Sequence, residues 1–136
     1  MKDRLLNIVH IVLATICFAL LVGTLESINP FAQPMPKGLD VSSPELTNYM
    51  ASQPLSAYLW IMLGYAIGSY GAGFILSRFS KNITGARISL AGGITALGVM
   101  NLYALPHPKW FWISLLIYFP FIYLGTRLYP KRELNH

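Results

Sequence analysis

The sequence predicts an all-α integral membrane protein: a four-helix bundle, both termini cytoplasmic, with a short amphipathic helix in its outer loop. Three observations predict it. Apolar residues make up 54% of the 136 and charged residues 11%, against roughly 25% charged in a soluble domain. The apolar residues fall in four blocks near the length of about 20 residues that a membrane helix needs. The Lys and Arg residues lie almost wholly between those blocks, and very unevenly.

The first block covers about residues 5–25, behind Lys2, Asp3 and Arg4. It is longer than the 7–15-residue apolar core of a signal peptide, so a retained helix is expected. Ile16, before Cys17, is not the small residue that lipoprotein processing wants. The second block covers about 55–76. The third, about 86–105, is stopped by Pro106, whose ring cannot continue a helix. The fourth covers about 110–128, and Pro120 near its centre should kink it.

Orientation follows from charge. Lys2, Arg4, Arg78, Lys81, Arg87, Arg127, Lys131 and Arg132 share one side, leaving only Lys37 and Lys109 on the other. Short cytoplasmic loops are rich in Lys and Arg, which puts the N-terminus, the 77–87 loop and the C-terminus inside, in a bacterial inner membrane. The acids Glu26, Asp40 and Glu45 fall outside. Tyr58, Trp60, Tyr103, Trp110 and Trp112 suit the outer interface, and Phe79 and Tyr129 the inner one. The net charge of +5 therefore orients the chain and meets anionic lipid; no nucleic-acid partner is implied. Asn82-Ile83-Thr84 matches the glycosylation pattern, but in a cytoplasmic loop it is a chance match.

In lipid, close backbone approach drives helix association. In the second span Gly64, Gly68 and Ala72 line one face, and Ser69, Gly73 and Ser77 the adjacent one. The third carries Gly85, Ser89 and Gly93, with Gly92 and Ala96 beside them. The short loop between them predicts a tight hairpin of these two spans, with the Gly68 stripe making the closest contact. The alternative is that one stripe is left for another subunit or a second copy.

The outer loop, 28–54, holds Pro30, Pro34, Pro36, Pro44, Pro54 and Gly38, which favour turns over a folded domain. One short helix is expected from Pro44 to about Ser52. Ser43 would cap it, Pro44 suits its first turn and Glu45 its positive dipole end. Leu46, Tyr49 and Met50 share a face that can rest on the membrane or on the bundle mouth. Its plain role is a connector, its sharper one a cap over an outward pocket.

Polar groups at membrane depth are costly and therefore candidates for function. His10 lies ~8 Å into the first span, on a face with Asn7, Ala14 and Cys17. As a relay it would want a titratable partner that the inner half does not offer. Towards the outer end stand Glu26, Asn101 and the stiff Pro106-His107-Pro108 turn, with Asp40 and Glu45 in the loop above. Glu26, Asn101 and His107 are expected to meet at the outer mouth. A carboxylate there would raise the His107 pKa and suit it to act as a base, a pH switch or a cation ligand. Glu26, Asp40 and His107 have no diagnostic metal spacing, so neither a metal nor a cofactor is expected.

One cysteine excludes a thiol-redox pair and a cysteine zinc site. A first span without a mid-membrane carboxylate argues against a small multidrug exporter. No GxSxG, HExxH, P-loop or GxGxxG motif occurs. Three function classes remain: a non-enzymatic component that self-associates or joins a membrane complex, a small transporter, channel or lipid-binding protein with a mouth near Glu26 and His107, and an interfacial enzyme.

Overall fold

The computed structural model describes residues 2–40 and 42–127. The expected roles of Leu128, Tyr129, Lys131 and Arg132 fall outside them. Among the described residues all regular structure is helical, without strands: α1 (Lys2–Ser27), α2 (Pro44–Ser52), α3 (Leu55–Phe79), α4 (Ile83–Ala104), a 3₁₀ helix (Lys109–Ser114) and α5 (Leu115–Arg127). Three of these, α1, α3 and α4, are long and apolar enough to cross a membrane. Their outward surfaces agree with that. Leu5 and Leu20 of α1 and Ile88 and Met100 of α4 are each more than 60% exposed, a distribution that suits lipid rather than water.

Several hydroxyl groups in these helices bond to the carbonyl one turn back, as an apolar solvent favours, whereas those of Ser69 and Ser114 are buried without a partner. Thr15 donates to the Ile11 carbonyl at 2.9 Å, Thr24 to Leu20 at 2.7 Å and Thr126 to Tyr123 at 2.7 Å.

The fourth apolar block departs from expectation. It opens as a 3₁₀ helix after Pro108 and becomes α-helical only at Leu115, running on through Pro120. The 3₁₀ segment is pinned by its aromatics: Phe111 is fully buried and touches Tyr58 at 5.1 Å and Trp110 at 5.7 Å between ring centroids. Those anchors hold the backbone to the end of α3 rather than to ideal α geometry.

Helices α1, α3, α5 and α4 form a ring in that order, with the main contacts along α1–α3 and α3–α5. The expected tight hairpin of the second and third spans is not formed. Although only Ser80, Lys81 and Asn82 join α3 to α4, these two touch little. Both small faces of α3 are taken by other helices. A side-chain carbon at Gly68 would lie 2.8 Å from Val22 and 3.1 Å from Phe18 of α1, and one at Gly64 would lie 3.5 Å from Leu25. Ala72 is fully buried. Gly73 faces the main-chain carbonyl of Ile122 in α5, and Gly125 of α5 faces the carbonyl of Tyr70. The closest approach is thus α3 on α5 at Gly73 and Gly125, not at Gly68. On α4, Ser89 and Gly93 point outward with Gly92, and Gly92 and Gly93 have nothing within 4 Å. They take no part in packing among the described residues. α4 is seated instead through Gly98, against the Tyr118 ring and Leu115.

At the end away from α2, Asn7 accepts from the Ser80 hydroxyl at 3.1 Å. Arg87 and Arg127 there both stack on Tyr123, 4.6 and 5.1 Å from its centroid, a favourable cation–π arrangement. Asn82 caps α4: its side chain accepts from the Gly85 N–H at 3.2 Å. Asn82→Ala should therefore cost about 1 kcal/mol, readable as a lower Tm in detergent; an unchanged Tm would show the cap to be idle.

Candidate functional site

The loop before α3 is tied to the bundle by side chains acting on backbone. Trp60 Nε1 donates to the Leu25 carbonyl at 2.7 Å and Asn29 Nδ2 to Ala57 at 3.0 Å. The first of these satisfies a carbonyl that the end of α1 would leave unpaired. Tyr58 donates its hydroxyl to Met50 at 2.7 Å and Tyr49 its own to Gln33 at 2.7 Å, while Gln53 Oε1 accepts from Gln33 N at 2.9 Å. These bonds hold α2 across the end of the bundle with Leu46 buried beneath it. Ser43 stands at the N-cap position, but its hydroxyl makes no cap bond and is buried without a partner. The expected cap is therefore positional only: the Leu46 N–H, a donor that a cap would serve, goes instead to the Ser43 main-chain carbonyl at 3.1 Å.

Two cavities lie under this strap. One, about 230 Å³, is lined by Glu26, Asn29, Met35, Tyr49, Met50, Gln53, Tyr58, Tyr65, Asn101 and His107, among others. The second, about 520 Å³, is lined by Thr47, Lys109 and Trp110 and shares Gln53, Tyr58 and His107 with the first. Those shared residues form the partition between the two.

Glu26, Asn101 and His107 thus come from α1, α4 and the turn after α4 to one cavity. Glu26 keeps solvent access at the end of α1, and Tyr65 of α3 lines the same cavity.

His107 stacks on Phe111 at 5.2 Å and 9°. Its Nδ1 lies 3.1 Å from the Leu105 carbonyl, an atom that only accepts. Nδ1 therefore carries the proton of the neutral ring, leaving Nε2 an acceptor. Burial pushes the His107 pKa below its ordinary value, and the Leu105 carbonyl offsets this in part. The upward shift expected from a nearby carboxylate is overturned. Desolvation disfavours the imidazolium more than the surroundings favour it.

Asp40 and His10 lie elsewhere. Asp40 is exposed and turned on itself, with Oδ1 accepting from Ser42 N at 3.2 Å, and it lines neither cavity. The grouping of Glu26, Asp40 and His107 is not assembled: among the described residues no set of three or more His, Cys, Asp or Glu side chains is arranged to hold a metal. His10 is at the opposite end of α1, about 24 Å from Glu26 by helical rise. It stacks on Phe79 at 5.7 Å, and its buried Nδ1 has no hydrogen-bond partner. Its face, with Ala14 fully buried and Asn7 bonded to Ser80, turns towards α3.

Tyr65 is the cavity residue that sequence reasoning passed over. A phenol at depth between Gly64 and Gly68 is a usable signal, since a buried tyrosine hydroxyl needs a partner. Asn29 and Gln53 carried no such mark. No family model matches the chain, and no curated protein or solved structure matches it either.

Proposed function

We propose that this chain is a four-span inner-membrane protein with both termini cytoplasmic, and that it binds a small ligand in the cavity at its extracytoplasmic end. The observation behind the binding role is the convergence of Glu26, Asn101 and His107, from three separate segments, on one cavity beneath the α2 strap. Such convergence of a few polar groups in a partly apolar hollow is how ligand sites are built. Transport or lipid presentation is the role in which such an outward mouth serves.

The fourth span rests on length. The 3₁₀ helix of 6 residues and α5 of 13 together rise about 31 Å, matching a hydrocarbon core of about 30 Å. The orientation rests on charge. Arg87 and Arg127 gather at the end remote from α2, and cationic ends stay cytoplasmic.

The test is thiol labelling of intact cells in a Cys17→Ala background. Ala32→Cys, at the cavity, should react with an impermeant maleimide, whereas Lys81→Cys should react only after the membrane is opened. Labelling of Lys81→Cys in intact cells would overturn the orientation.

A second reading, a subunit of a homo-oligomer or larger complex, is favoured by one feature. The small residues Ser89, Gly92, Gly93 and Ala96 of α4 face outward with no intrachain use, as a helix awaiting a partner would present them.

A further inference from the structure

We infer that the cavity beneath α2 takes a small organic ammonium ion, with the Glu26 carboxylate as counter-charge and tyrosine rings and methionine thioethers as its walls. This rests on the reading above that the cavity is a ligand site.

An inventory of the lining groups leads there. The hydroxyl protons of Tyr49 and Tyr58 are spent on the carbonyls of Gln33 and Met50. Asn29 donates one amide hydrogen to Ala57 and accepts from Phe31 N at 3.1 Å. His107 spends its Nδ1 proton on Leu105. Gln53 Nε2 is closed off from solvent and has no partner. Beside the remaining amide and phenol hydrogens, the lining offers a carboxylate, an imidazole acceptor, phenolic lone pairs, aromatic surface and the thioethers of Met35 and Met50. Glu26 is the one charged side chain among the described lining residues, and no Lys or Arg joins it there; Lys109 belongs to the neighbouring cavity. An anion would meet that carboxylate with no cationic partner to offset it.

The walls choose between kinds of cation. Hard metal ions want several oxygen ligands in a shell, and the described residues assemble no such set. Rings and thioethers suit a cation that carries methyl or methylene groups, which gains from aromatic faces as well as from charge. Size is restrictive too. About 230 Å³ lies below the 300–1,000 Å³ of sites for drug-sized ligands, which points to a cation of a few carbon atoms.

The experiment is isothermal titration calorimetry on the full chain in mild detergent. Choline is compared with 3,3-dimethylbutan-1-ol, its uncharged counterpart of the same shape. Choline should bind at least about tenfold more tightly. Both Glu26→Gln and Met35→Lys should abolish that preference. Met35 is 59% exposed, so its lysine adds charge at the rim without touching packed groups, and it stands in if the Glu26 variant does not fold. Equal affinity for the two compounds overturns the inference, as does a full preference retained in either folded variant. If Ala32→Cys labels in cells while choline shows no preference, only the ammonium assignment falls. If Ala32→Cys does not label, the outward cavity itself falls.

Discussion

Gly73→Ala and Gly125→Ala will each destabilise the protein severely, while Gly92→Ala and Gly93→Ala will leave its stability unchanged or slightly raised. All four lie in helices and the substitution is the same, so intrinsic propensity is shared: alanine gains up to about 1 kcal/mol over glycine. The surroundings differ. An added carbon at Gly73 meets the carbonyl oxygen of Ile122, and one at Gly125 meets the Tyr70 carbonyl and, at 2.9 Å, the Phe74 nitrogen. These are backbone atoms, which cannot swing aside as the Leu21 side chain near Gly71 can. Relief requires α3 and α5 to separate along the main contact of the bundle. Overpacking costs about 1–3 kcal/mol where side chains can adjust, and more where they cannot. At Gly92 and Gly93 there is nothing within 4 Å. Thermal unfolding in detergent, checked by resistance to SDS, reads the difference. Equal Tm values across the four variants would mean that α3 and α5 do not meet as described. A large loss at Gly92 or Gly93 in the native membrane, absent in detergent, would instead reveal a partner on α4.

These contacts also show how far the sequence reaches. Both small faces of α3 are visible in it, because a four-residue spacing of Gly and Ala is a pattern within one helix. Which neighbour takes each face is not, because glycines here rarely meet glycines. Gly68 receives Phe18 and Val22, and Gly98 receives Tyr118. A bulky side chain that fits a glycine notch looks like any other apolar residue in a span. The short loop after α3 suggested α4 as the partner, but three residues fix only where two helices begin, not how they diverge. Helix α2 was readable to the residue, since Pro44 and Glu45 mark its start. The 3₁₀ opening of the last helix was not, since it depends on Phe111 finding its place against Tyr58. At the cavity, Glu26, Asn101 and His107 were singled out because polarity at the end of an apolar block is conspicuous. The hydrogen bonds that tie its lining to the loop depend on the loop's path, which proline content alone does not describe.

Phe111→Ala should lower stability by about 2 kcal/mol and at the same time raise the His107 pKa. Phe111 is fully buried and touches Tyr58, Tyr65, Trp110 and His107. In a soluble core such a truncation costs about 3–5 kcal/mol; in lipid the transfer part shrinks because the reference state is already apolar, leaving mainly lost contacts and the cavity. The second effect follows from what depresses the His107 pKa. Its first cause is burial, and Phe111 is the face against which the ring is buried. Removing that face lets water reach the imidazolium, so its pKa should climb towards 6.5. Glu26→Gln is the control. The carboxylate is not among the causes of the shift, so the His107 titration should stay where it is. The pH dependence of stability follows in sign. A histidine with a depressed folded pKa leaves the unfolded chain holding more protons, so stability rises with pH. The His107 contribution is complete above about 6.5 and is lost as pH falls from there through the folded value. Phe111→Ala should flatten that slope while lowering the plateau. Histidine NMR titrations, paired with unfolding at pH 5 and pH 8, measure both. A His107 pKa that falls with Glu26→Gln and ignores Phe111→Ala would show that charge, rather than burial, governs the ring.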